Sequence, residues 1–214
     1  MTMTLDFIRQ GNYSIARERL DLQLEHQPTS GKLHFLAGLI HHRQDDYGRA
    51  RPYFEQAIAL EPDYSSTFYF YGYCLYYLGE LDRALITFEE HLRHVPDEGD
   101  SHFGRGIVLL ELGELDEAES ALNRAIELQQ DESGRGHEVS KAHTRLGDVA
   151  LQRGEYEAAR DTLEAAIEAD PRHPEPYFKL SQVHRRLGHE EKADEMMQRY
   201  ESIRSGEEPG EGPR

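Results

Sequence analysis

The sequence predicts an all-α protein built from one helix–turn–helix unit repeated along the chain, and three observations predict it. Small residues recur at Gly38, Gly72, Gly106, Gly147 and Ser181, spaced 34, 34, 41 and 34 residues apart. A second small column, Ala16, Ala50, Ala84, Ala118, Ala159 and Ala193, keeps the same register with spacings of 34, 34, 34, 41 and 34. Between the two columns stand turn signals, Gly11, Gly79, Gly113, Gly154 and Gly188, with Asp45 once. A fixed period of this length marks an array of supersecondary units that bury their faces against their neighbours. The glycine inside each period marks the stop of one helix before the next begins.

Further columns support each element in turn. Leu20, Phe54, Phe88, Leu122, Leu163 and Met197 are bulky and fill the space between neighbouring repeats, whereas glycine and alanine sit where two helices cross closely. Pro28, Pro62, Pro96 and Pro171 close four of the repeats. The chain divides into a truncated first repeat, 1–30, with residues 3–10 as a helical stub, then repeats 31–64, 65–98, 99–132, 140–173 and 174–204. The last helix, about 190–204, caps the array. The insertion SGRGHEV, 133–139, reads as a surface loop; it either loosens that joint or is absorbed by longer flanking helices, and the helix-forming flanks favour the second. The tail 205–214, SGEEPGEGPR, has nothing to bury and predicts disorder.

Segments such as DDYGRARPYFEQAIALEP, GELDRALITFEEHLRHVP and GEYEAARDTLEAAIEADP resemble the tetratricopeptide repeat family over residues 1 to about 204. The family's tryptophan place holds His34, Phe68, His102, His143 and Tyr177, a degenerate column that still bears rings. The resemblance implies a right-handed α-solenoid of stacked antiparallel helix pairs, with the first helices of successive repeats lining a concave groove. It implies a scaffold that binds a peptide or helix of another protein there.

Composition narrows the function. The 24 Lys and Arg face 41 Asp and Glu, a formal charge of −17, so the basic footprint of a nucleic-acid binder is missing. No apolar run approaches the length of a membrane span. The start, MTMTLDFIRQGN, lacks the pattern of a secretory signal, and the single cysteine, Cys74, cannot form an internal disulfide; a cytoplasmic location is expected. No phosphate loop or nucleophile elbow is present, so no catalysis and no cofactor are expected. His41 beside His42, and His91 with His94 one turn on, have metal-ligand spacing, yet a closed site needs further ligands, and no metal is expected.

The groove columns left free by the glycine packing supply the candidate binding residues: Phe35, Leu39, Tyr69, Tyr73, Tyr76, Tyr77, Phe103, Ile107, Lys141, Arg145, Lys179, Arg185 and Arg186. Their character changes from aromatic and aliphatic to basic along the chain, and the basic end suits an acidic partner segment. Residues 68–77, FYFYGYCLYY, hold seven of the chain's aromatics, and Tyr69, Tyr73, Tyr76 and Tyr77 fall at spacings of four, three and one on one helical stripe. That stripe reads either as packing or as partner surface. The family's two-carboxylate clamp for acidic chaperone tails is incomplete: Lys141 and Arg145 resemble its last pair, but Tyr69, Tyr73 and Gly104 stand where Lys and Asn are expected. The alternative reading is a self-assembly module in which the short first repeat and the stripe bury against a second copy; an enzymatic or metal-binding role is a third.

Overall fold

The computed structural model describes residues 2–130 and 132–206, and all of their regular structure is helical. Among the described residues twelve helices follow one another: α1 (Thr2–Arg9), α2 (Tyr13–His26), α3 (Gly31–His42), α4 (Tyr47–Leu60), α5 (Ser66–Tyr77), α6 (Leu81–His94), α7 (Gly99–Leu112), α8 (Leu115–Gln129), α9 (Gly136–Arg153), α10 (Tyr156–Ala169), α11 (Pro174–Arg186) and α12 (Glu190–Ser205). They form two compact halves, Met1–Asp97 with α1 to α6 and Glu98–Arg214 with α7 to α12.

In the first half each helix packs on the next, and the first helices α3 and α5 also touch. The small columns explain how closely. Ala16, Ala50 and Ala84 have no exposed surface, and a Cβ added at Gly38 would stand 2.6 Å from the Phe54 ring. Phe54 and Phe88 are fully enclosed, and each such burial contributes about 2 to 3 kcal/mol. The turns use left-handed backbone: Gly11 and Gly79 both have φ 75°, whereas the α3–α4 turn places Asp45 there at φ 56°. His34, in the degenerate tryptophan column, donates from Nε2 to the Pro28 carbonyl at 2.9 Å, tying the repeat to the closing proline before it. A polar latch joins α4, α5 and α6: Glu55 accepts from Tyr71 at 2.8 Å and from Arg83 at 2.9 Å, while Arg51 reaches Glu80 at 2.7 Å.

The second half repeats the plan, with α7 touching α9 as α3 touches α5. A Cβ at Gly147 would meet Leu163 at 2.9 Å, and Tyr177 donates to the Pro171 carbonyl at 3.1 Å, the same six-residue hook as His34 on Pro28. Helix α9 begins at Gly136 and runs for 18 residues, so the last part of the 133–139 segment is helical. Its added first turn is held by Ser140, whose hydroxyl donates to the Ala166 carbonyl at 2.7 Å and lies 2.9 Å from His173 Nδ1. Helix α12 ends at Ser205 with Gly206 as a left-handed cap, and the remainder of the tail predicted to be disordered, 207–214, lies outside the described residues.

Candidate functional site

The candidate residues of the first half lie on α3 and α5, but at different depths. Phe35 and Leu39 are each 4% exposed; Phe35 packs among Phe54, Tyr64 and Phe70 with ring centroids 5.2 to 6.2 Å away. They belong to the floor. Tyr69 and Tyr73 are half-buried, Tyr69 edge-on to Tyr73 at 5.2 Å and Tyr73 edge-on to Phe88 at 5.0 Å. Tyr76 is half-buried, and Tyr77 is 55% exposed, stacked on Tyr47 with centroids 4.6 Å apart. The stripe therefore grades from packing at its amino-terminal end to open surface at its carboxyl-terminal end.

Beneath the rings lies His42, whose two ring nitrogens are buried with no hydrogen-bond partner among the described residues. Its ring meets Tyr47, Phe54 and Phe70 edge-on at 5.4 to 6.3 Å. Burial, and secondarily Arg43, push its pKa down to about 4, so the imidazole is neutral at pH 7. Cys74 is fully buried with its thiol 3.3 Å from the Tyr47 carbonyl, and burial pushes that thiol up to about 12, out of reach of nucleophilic chemistry.

In the second half Phe103 is half-buried and Ile107 is buried. The basic residues divide into two kinds. Arg145 reaches Asp148 at 2.8 Å and Glu175 at 3.0 Å, and Lys179 reaches Asp148 at 2.6 Å and Glu175 at 3.4 Å. Two cations and two carboxylates thus neutralise one another between α9 and α11. Lys141 and Arg186 have no ion pair among the described residues, and Arg185 approaches Asp194 only at 3.7 Å. Asp148 and Glu175, absent from the candidate residues, are the ion-pair partners of Arg145 and Lys179. Their sequence signal is the spacing: Asp148 follows Arg145 by three, and Glu175 precedes Lys179 by four.

Among the described residues no group of three or more His, Cys, Asp and Glu is placed to hold a metal ion, and no helix is long and apolar enough to cross a membrane. His41 lies in a ring stack on Tyr53 at 5.5 Å, and His94 stacks on Phe68 at 5.6 Å. His94 thus covers a ring of the tryptophan column.

Two models of the tetratricopeptide repeat match the chain, one over 3–65, 36–98 and 144–207 and the other over 97–172. The chain belongs to the tetratricopeptide repeat family. Its fold class is accordingly the all-α solenoid of stacked antiparallel helix pairs. Solved structures share the fold at low identity. PilW, described as a widely conserved type IV pilus biogenesis factor, is 17% identical with a TM-score of 0.82, covering 94% of this chain and 90% of that one. PilF of Pseudomonas aeruginosa is 15% identical with a TM-score of 0.76, covering 96% and 95%. YrrB, described as a repeat protein of this family with an unusual peptide-binding site, is 21% identical with a TM-score of 0.64, covering 87% and 92%. No curated protein matches this chain in sequence.

Proposed function

We propose that this chain is a noncatalytic, cytoplasmic scaffold that binds a peptide or helix of another protein on the faces of its first helices, those that line the concave groove in this family. The observation that carries the reading is the α5 face, where half-buried Tyr73 and Tyr76 rise to a Tyr77 ring that is 55% exposed. Tyrosine supplies large, rigid contact area at low entropic cost, which suits it to anchor a partner. In the second half Lys141 and Arg186 carry the charge that would steer an acidic segment, since Arg145 and Lys179 are already paired. Fold alone does not select a function; these side chains do.

The test is a photo-crosslinking residue placed at Tyr77 on α5, or at Gln56 on α4, followed by binding measurements on the captured partner. Capture at 77 with weakened binding by Tyr73→Ala supports the reading, while capture at 56 and indifference to Tyr73→Ala overturns it.

A second reading is favoured by one observation. Met3, Ile15 and Leu22 on α1 and α2 are 57%, 43% and 55% exposed, apolar surface that a second copy would bury. Self-assembly through this end predicts a mass that rises with concentration in light scattering and falls back to one chain in Ile15→Glu with Leu22→Glu.

A further inference from the structure

Five of the turns between the helices of a repeat place glycine in the left-handed region, at φ 75° to 82°. The turn between α3 and α4 places Asp45 there, at φ 56°. A side chain at such a position is less favourable than glycine. The carboxylate does not offset this by capping α4, because Asp46 does that, accepting from the Arg49 amide at 3.3 Å. Asp45 instead accepts the Tyr47 hydroxyl at 2.8 Å and makes no ion pair among the described residues. Tyr47 stacks on Tyr77 at 4.6 Å and 18°, and Tyr76 meets Tyr77 at 65°. Leu78 beside them is 37% exposed.

The electrostatics of this rim favour a cation. Helices α3 and α5 both end around Tyr47, through His42 on one side and Tyr77 on the other, and their carbonyl ends carry partial negative charge. The faces of the tyrosine rings are negative as well. Of the neighbouring bases, Arg49 is spent on Asp46 at 3.3 Å and Arg51 on Glu80 at 2.7 Å. His42 behind the rings is neutral. Arg43, the cap of α3, and Arg17, which donates to Gln44 at 3.1 Å beside Asp45, are exposed without an ion pair among the described residues and are the local competitors.

We propose that Asp45 and the stacked Tyr47–Tyr77 pair form a receptor for an arginine side chain of the partner segment. A planar guanidinium stacks on a tyrosine face while its N–H fork donates to a carboxylate, a combination that lysine matches less well. The inference rests on the first-helix face being the binding surface and names one chemical feature of what binds there.

The test uses the full chain and the peptide acetyl-Gly-Arg-Gly-amide, with its citrulline counterpart as an uncharged isostere, read by amide and aromatic NMR shifts. Saturable shifts at Asp45, Tyr47 and Tyr77 are expected, with citrulline about threefold weaker or more. Asp45→Asn and Tyr77→Leu should each lose about threefold, Tyr77→Phe should stay within about twofold, and Arg43→Gln should tighten binding. Asn tolerates the left-handed backbone, so Asp45→Asn keeps the turn. Absence of saturable shifts, equal binding of the citrulline peptide, or indifference to Asp45→Asn overturns the proposal. A captured partner that is weakened by Tyr73→Ala but not by Asp45→Asn overturns this inference while leaving the groove reading standing.

Discussion

The two halves solve the same packing problem and differ on the face their first helices leave over. On α5 that face is aromatic, with Tyr69 edge-on to Tyr73 and Tyr76 against Tyr77. Between α9 and α11 it is a set of ion pairs among Arg145, Lys179, Asp148 and Glu175, with His173 3.8 Å from Glu175. The difference teaches that a column of basic residues is not by itself a positive surface. A carboxylate one turn away on the same helix, and another on the next first helix, offsets the charge of the basic column.

The largest effects concern what the halves share. Phe88→Ala in the first half and Leu163→Ala in the second should cost about 3 to 5 and 2 to 5 kcal/mol respectively, because both side chains are fully enclosed. Denaturant unfolding measures this, and separate transitions for the two variants would show that the halves melt independently. Overpacking at the crossing points is a milder insult: Gly147→Leu should cost about 1 to 3 kcal/mol.

Acid should come next, through buried histidines. The folded-state pKa of His42 is depressed from 6.5 to about 4, so its neutral form contributes stability that is complete above pH 6.5 and is lost as pH falls toward 4. A shift of that size corresponds to about 3 kcal/mol. His42→Phe should flatten the pH dependence of melting across this window. His41 and His91 in the first half and His143, His173 and His184 in the second are depressed chiefly by burial too, so part of the acid-induced loss should persist in both halves. If His42→Phe leaves the slope between pH 6.5 and 4 unchanged, the ring is not held neutral by its surroundings.

On a captured partner, Tyr73→Ala should weaken binding by about 2 kcal/mol, chiefly through faster dissociation. Reversing Lys141 and Arg186 to Glu should mainly slow association, and most at low salt. The smallest expected effect sharpens the comparison most. Asp148→Asn leaves two cations facing one carboxylate; it should lower stability by about 1 kcal/mol and speed association with an acidic segment. No change in association rate would mean that the second half meets its partner through other groups.

Much of the fold was legible in the residues because the repeat writes the same contact many times. The small and the large columns were both legible, but the large one was assigned to the space between repeats, whereas Phe54 lies against Gly38 and Leu163 against Gly147 of the same repeat, because the two helices of a repeat cross where glycine leaves room for a ring or a leucine. The ring-bearing column was legible as packing, although its reason, the hooks from His34 to Pro28 and from Tyr177 to Pro171, was not. Periodicity also marked which columns of the first helices the glycine packing leaves over. It did not rank their depth, because Phe35 and Tyr77 stand on related faces of α3 and α5, yet one is 4% and the other 55% exposed.

The amino-acid sequence by itself determined the class of fold, the register of the helices and the location of the turns, because those follow from local periodicity and from glycine's backbone freedom. Tertiary structure alone decided which side chains keep surface and charge. The pairing of Lys179 with Asp148 spans 31 residues, and the stacking of Tyr47 on Tyr77 joins the start of one helix to the end of the next. Such neighbours meet through the angle and offset at which helices pack, quantities that a helical period leaves undetermined.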